Sequence, residues 1–381
     1  MRRKNSDGEK IEIIDLARGF AILTVWMFHF GIAHITDPAG PVLLQWVWRR
    51  FWVHGAYGVQ IFFVVSGYLI TRLIATRAGG LFKPDLGKFY ARRAGRILPL
   101  LFLSLLFGAG ALLYPFGSAG HADLCLKNPS ASFGPAFWAS ILTFSFNWYR
   151  VFLAGPVKDF GLHWDLLWTL SIEEQFYLFY PLFLLWLGKE RKLLWFLAFV
   201  IVLGTITRAA GVAFFSEQAY WNEVSFAEFD LIAIGCLLYL TARRFGPSLK
   251  KNKGACLFLL GAGIFMVLKV FWEATTELDY TGRIFGPFLL GFGVFLLLLG
   301  GLHLKTLQHP FFKLLALPGR LSYGGYLIHP AMLFFLWPLL GGKNEWLAFG
   351  IFALATMGVA GLSYVFYETP MNRMIRKYWG A

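Results

Sequence analysis

The chain has 381 residues, of which 57% are hydrophobic, 19% aromatic and only 15% charged, against roughly a quarter charged in a soluble domain. That composition excludes a globular enzyme with one apolar core and indicates a polytopic membrane protein, with room for about ten spans of about 20 residues each. A net charge of +14 would suit a nucleic-acid binder, yet Lys and Arg fall in short clusters between apolar runs, where loop charge sets membrane orientation. No nucleic-acid partner is expected.

The chain opens on Met1-Arg-Arg-Lys4 before an apolar run, like a signal peptide. The run carries Asp15 and Arg18 and closes on no small-residue cleavage site, so it reads as a retained first span with residues 1–10 in the cytoplasm. Apolar segments follow near 55–76, 97–116, 136–153, 164–187, 193–214, 226–242, 254–272, 284–302, 319–341 and 345–367. With 11–36 that makes eleven, an odd count that would put the basic tail around Asn372–Lys377 outside, against the charge rule. The 136–153 segment is the one expected not to span, because it is short and holds Ser140, Thr143, Ser145, Asn147 and Arg150. Ten spans then place 25 Lys and Arg in cytoplasmic segments and 8 outside, with Arg18 and Arg208 inside spans. The expected fold is all-α: a polytopic helical bundle of about ten transmembrane helices plus one re-entrant or peripheral segment. A membrane domain over 11–368 lies between cytoplasmic tails 1–10 and 369–381. No internal repeat or linker is visible. Cys125, Cys236 and Cys256 are too far apart for a disulfide framework or a metal site, and no metal is expected.

Charge inside the spans is the informative departure. Arg18 and His29 are eleven residues apart, so they share nearly one helix face about 16 Å apart. Ionisable groups are costly in lipid and point to function. The bland alternatives are an Asp15–Arg18 pair and a histidine satisfied by a neighbouring helix.

Five segments carry the remaining chemistry: Asp15-Leu-Ala-Arg18-Gly19 through His29; Phe62-Phe-Val-Val-Ser66-Gly67-Tyr68-Leu69; Phe89-Tyr-Ala-Arg92-Arg93-Ala-Gly-Arg96-Ile-Leu-Pro99; Trp168-Thr-Leu-Ser-Ile-Glu173-Glu174-Gln175-Phe176-Tyr177; and Gly319-Arg-Leu-Ser322-Tyr323-Gly-Gly-Tyr326-Leu-Ile-His329-Pro330 with Tyr367-Glu368-Thr-Pro370. In order, spacing and content they resemble the acyltransferase-3 family, membrane enzymes that O-acylate carbohydrates, over residues 10–377. Glu228, in Glu228-Phe229-Asp230, departs from a family stretch that often has Arg there. The resemblance implies a bacterial inner-membrane enzyme that moves an acyl group, expected to be acetyl, from acyl-CoA to a carbohydrate hydroxyl. It implies that Arg93 and Arg96 engage the donor, with Arg92 assisting. Any partner that delivers the acceptor is expected to be a separate chain.

The residues can support that chemistry. Acyl transfer needs an anion site for the donor, a base for the hydroxyl and stabilisation of the tetrahedral oxyanion. Arg93 and Arg96, three apart, share a face and can donate to phosphate, helped by helix N-terminal amides if a helix starts there; simple positive-inside anchoring is the alternative. His29 is the candidate general base. It lies about 27 Å up its helix from Ile11, toward the outer side of a layer about 30 Å thick. Glu174, about 16 Å down from His163, is expected to meet His29 and orient it, with Glu173 pointing about 100° away. Arg18 is expected to bind donor phosphates or polarise the thioester carbonyl. Ser66 and Gly67 suggest close helix packing, with a covalent-nucleophile role for Ser66 the weaker alternative. His329 and Tyr323 line a cavity or pack. Trp164 and Trp168 form an aromatic belt or stack on a sugar. A competing function is a transporter or flippase of a sugar-containing substrate, with Arg18, His29, Glu174 and His329 as a proton relay. A membrane scaffold would leave these charges unexplained.

Overall fold

In the computed structural model of the protein the described residues are 12–33, 41–113, 133–154, 160–214, 223–273, 280–340 and 343–379. Among them no strand occurs, and the long apolar runs are helices. Among the described residues nine helices are long and apolar enough to cross a membrane: α1 (Glu12–Ala33), α3 (Tyr57–Arg77), α4 (Leu86–Leu113), α7 (Glu190–Phe214), α8 (Ser225–Leu249), α9 (Lys253–Glu273), α10 (Tyr280–Gly301), α11 (Ser322–Leu340) and α12 (Glu345–Ser363). The helix α6 (Leu167–Leu187) has 21 residues, comparable in length, but its Glu173-Glu174-Gln175 run makes it too polar to join them by composition. The protein is a polytopic helical membrane protein.

The segment at 136–153 is broken. Helix α5 (Pro135–Leu142) has eight residues, about 12 Å of rise, too short to cross. Phe144 turns the chain with φ +53°, and a short helix and a π-turn over Tyr149–Leu153 follow. Arg150 is buried there, 3.1 Å from Glu223. This polar knot is tied to α6 by Gln175, whose amide donates to Phe144 O at 2.6 Å and Asn147 Oδ1 at 2.9 Å.

Three elements depart from the hydropathy reading. Helix α2 (Val42–His54) lies between α1 and α3. Helix α4 starts at Leu86, well before the apolar run, because the Asp85 carboxylate accepts from Lys88 N at 3.0 Å and caps its first turn. Arg93 therefore sits about 10 Å inside the helix, away from the N-terminal amides expected to assist it. Past α12, a π-turn over Tyr364–Glu368 leads into α13 (Thr369–Tyr378).

Close crossings fix the centre. A Cβ at Gly67 would overlap Ile232 O, and one at Gly235 would overlap Val64 O, so the backbones of α3 and α8 touch. This contact holds the neighbouring Ser66 in place. Gly319 meets the Asp15 backbone in the same way. Most of α3 and α8 is buried, whereas α7 and α9 turn Trp195, Phe199, Phe258 and Phe265 outward, as a lipid-facing surface requires.

The core also holds a fully buried ion pair. Arg208 Nη2 lies 2.6 Å from Asp230 Oδ2, and the guanidinium also donates to Ile284 O at 3.0 Å and to Ala227 O. It joins α7, α8 and α10. Removing one partner of a buried pair costs about 3–5 kcal/mol because the other charge stays unpaired. Asp230→Ala should therefore lower the thermal unfolding midpoint sharply in detergent, measured by differential scanning fluorimetry. A midpoint unchanged from wild type would refute this bracing role.

Candidate active site

Glu173 and Tyr177 are four residues apart on α6 and so share one face; α4, α1, α3 and α11 close around it. The resulting cavity has about 830 Å³ of atom-free space, part of it open to the outside. Its polar lining is Arg18, Ser66, Arg93, Arg96, Thr169, Glu173, Tyr177, Ser322, Tyr323 and Tyr326; Val59, Phe62, Phe63 and Leu327 supply much of the rest.

Two kinds of cation face this space. Arg93 is committed: its Nη2 lies 3.2 Å from Glu174 Oε1 and its guanidinium stacks 3.8 Å from the Tyr177 ring centroid. Arg18 and Arg96 are not. Among the described residues neither has a hydrogen-bond or ion-pair partner, and their charges lie close enough to repel each other. Asp15, the neighbour weighed for Arg18, instead accepts from Arg320 Nε at 3.2 Å. Two uncommitted guanidiniums facing a cavity amount to an anion site.

The carboxylates on α6 divide in a way the sequence reading did not anticipate. Glu174 is not brought to His29 as its orienter; it pairs with Arg93. Glu173 is the one that faces the cavity, accepting from Ser66 Oγ at 2.7 Å. Arg92 does not line the cavity.

His29 is held by His329. The rings stack with centroids 4.9 Å apart, and His329 Nε2 lies 3.1 Å from His29 Nδ1. His329 Nδ1 lies 2.7 Å from Tyr326 O, a carbonyl that can only accept. With both rings neutral, His329 Nδ1 therefore carries a proton, its Nε2 accepts, and His29 Nδ1 donates. The lone pair of His29 then sits on Nε2. Tyr326 joins the two regions: it lines the cavity, donates to Leu166 O at 3.2 Å and packs 5.8 Å from the His329 ring. Neither histidine lines the cavity itself.

Of the aromatic residues considered for sugar stacking, Trp164 is fully buried among Phe133, Phe137 and Trp138 and cannot present a face. Trp168 is partly buried against Phe63. Glu228 is buried and accepts from Gln60 Nε2 at 3.3 Å. Among the described residues, no group of three or more His, Cys, Asp and Glu could hold a metal ion.

A model of the acyltransferase-3 family, described as an acyltransferase domain, matches residues 11–367. The chain belongs to the acyltransferase-3 family. It is 29% identical to the peptidoglycan O-acetyltransferase OatA of Listeria monocytogenes over 94% of this chain and 55% of that protein. With O-acetyltransferase OatA of Staphylococcus aureus the identity is 26%, over 94% and 57%, and with the putative peptidoglycan O-acetyltransferase YrhL of Bacillus subtilis it is 28%, over 98% and 56%. The chain thus spans little more than half the length of these relatives. No solved structure matches it. Within this acyltransferase-3 chain, the contacts the sequence reading did not assign are Glu173 with the cavity and Ser66, Tyr177 as the platform for Arg93, and His329 with His29. The four-residue spacing of Glu173 and Tyr177 was the available signal.

Proposed function

We propose that the chain is a membrane O-acyltransferase that moves an acyl group, acetyl in the first instance, from cytoplasmic acyl-CoA to a hydroxyl of a cell-envelope carbohydrate. Peptidoglycan is the acceptor named for two of the relatives. The observation that carries this reading is the cavity with two uncommitted arginines, Arg18 and Arg96, whose Tyr326 wall packs against the His29–His329 pair. Donor phosphates would rest on Arg18, Arg96 and Arg93, and the acyl arm would follow the cavity toward His29, about 16 Å further along α1. Both chain ends and the basic loops would lie in the cytoplasm, in keeping with the excess of Lys and Arg there.

The step balances simply. The acceptor oxygen attacks the thioester carbonyl while His29 Nε2 takes the hydroxyl proton. Collapse of the tetrahedral intermediate breaks the C–S bond, and the leaving thiolate takes that proton from the imidazolium. His329 is a positioning residue here, since it fixes which nitrogen of His29 is free.

Purified protein in nanodiscs, given radiolabelled acetyl-CoA and a carbohydrate acceptor, should transfer label to the acceptor. Counterflow of labelled sugar without any acyl donor, and no transfer, would favour the transport reading instead. His329→Ala should lower kcat with little change in donor KM, by less than the roughly 10²–10⁴-fold that general-base catalysis contributes. His329→Gln should restore part of the loss, because its amide oxygen can accept from His29 Nδ1. Equal kcat in wild type and His329→Ala would remove His329 from the mechanism.

A further inference from the structure

Helix α13 is not explained by the cavity. It runs antiparallel to α4: Tyr367 Oη donates to Pro99 O at 3.0 Å, and further along Asn372 Oδ1 and Ile375 Cγ2 lie 3.4 and 3.5 Å from where a Cβ on Gly95 would be. Rising numbers on α13 therefore meet falling numbers on α4. One turn beyond this contact, Arg376 of α13 comes level with Arg92 of α4, and the two charges lie close enough to repel. The Nε atoms of both are buried without an acceptor. Among the described residues neither arginine has a hydrogen-bond or ion-pair partner. At Gly95 the two helices are in ordinary van der Waals contact, so α13 lies directly on α4.

Arg92 is not among the residues that line the cavity, as Arg93 and Arg96 are. On a helix Arg96 is nevertheless only about 40° from Arg92 in projection, one turn deeper. Arg376, Arg92, Arg96 and Arg18 consequently form one line of uncommitted cations, from the basic end of α4 into the cavity. A single phosphate cannot span it. A ligand with phosphates at two separate points can.

We propose that α13 and α4 form a second phosphate site, Arg92 with Arg376, which grips the nucleotide-end phosphate of a phosphorylated acyl thioester while Arg18 and Arg96 hold the phosphates nearer the acyl arm. This rests on the acyl-donor reading given above. It adds a residue, Arg376, that the five sequence segments did not single out, and it makes the 3′-phosphate of the donor a recognised group. The same chemistry would also accept the headgroup of an anionic lipid, so the test must separate the two.

The experiment compares wild type, Arg376→Gln and Arg376→Lys in nanodiscs with two donors, acetyl-CoA and acetyl-dephospho-CoA, which lacks the 3′-phosphate. One lost charge-assisted hydrogen bond is worth about tenfold or more. Arg376→Gln should therefore raise KM for acetyl-CoA by about tenfold while leaving kcat and the KM for the dephospho donor near wild type. Arg376→Lys should recover part of the affinity. A KM effect of equal size on both donors, or none on either, overturns the proposal, and the acyl-donor reading survives as long as wild type turns over acetyl-CoA. If Arg376→Gln instead lowers the unfolding midpoint only in anionic-lipid nanodiscs, with KM unchanged, the site belongs to a lipid headgroup and the proposal is likewise overturned. No turnover of either donor by wild type would overturn both the reading and the site built on it.

Discussion

His29→Ala should lower kcat for acyl transfer by roughly 10²–10⁴-fold, while the KM for the acyl donor stays close to that of wild type. Removing a general base raises the barrier by about 3–5 kcal/mol at 1.36 kcal/mol per decade. The donor term should hold because His29 is not among the residues lining the cavity. The ring sits beyond Tyr326, at the His329 contact. An alternative fate of the variant is misfolding, and His29→Gln controls for it. That side chain can still donate to His329 Nε2 but cannot act as a base of useful strength. His29→Gln should therefore match wild type in thermal stability and match His29→Ala in activity. If either variant retains wild-type kcat, the base lies elsewhere, and the cavity carboxylate Glu173 is the next group to test.

How far the sequence led is clearest at single residues. Arg18 and His29 could be picked out because charge inside an apolar run is costly and so conspicuous, and Arg93 and Arg96 because their cluster just before such a run resembles a family segment. The broken 136–153 segment was equally legible, since five polar side chains in a short run cannot be satisfied in lipid. What was hidden is pairing across helices. Nothing in the run Glu173-Glu174-Gln175 says that Glu174 turns to Arg93 and Glu173 to Ser66. That choice depends on the rotation of α6 against α3 and α4, which carry the partners Ser66 and Arg93. His329 was read as lining a cavity or packing, or as part of a relay, but its direct contact with His29, 300 positions away, was not legible. The start of α4 was misplaced because hydropathy sees the membrane and not the Asp85 cap. The basic turns before Ile97 are helical all the same. Helix α13 was read as a plain basic tail, since its contact with Gly95 leaves no mark in composition.

Replacing Arg18 and Arg96 together by Gln should raise the KM for acetyl-CoA by two to four orders of magnitude, the summed effect of two charge-assisted hydrogen bonds at about 1.5–3 kcal/mol each. The fold should tolerate the change. Among the described residues these two guanidiniums have no hydrogen-bond or ion-pair partner to orphan, and the repulsion between them that neutral amides relieve offsets the attraction to Glu173 that is lost. Arg93 behaves differently. Its loss would strand the Glu174 carboxylate, 14% exposed and, among the described residues, paired only to it, so Arg93→Gln should destabilise the protein as well as weaken donor use. Isothermal titration with a non-hydrolysable acyl-CoA analogue, read beside unfolding midpoints, separates the two cases. A double variant that binds the analogue as tightly as wild type would show that the cavity is not where the donor's phosphates rest. The charges of α1 and α4 would then have to be reconsidered as a path for protons rather than a seat for an acyl donor.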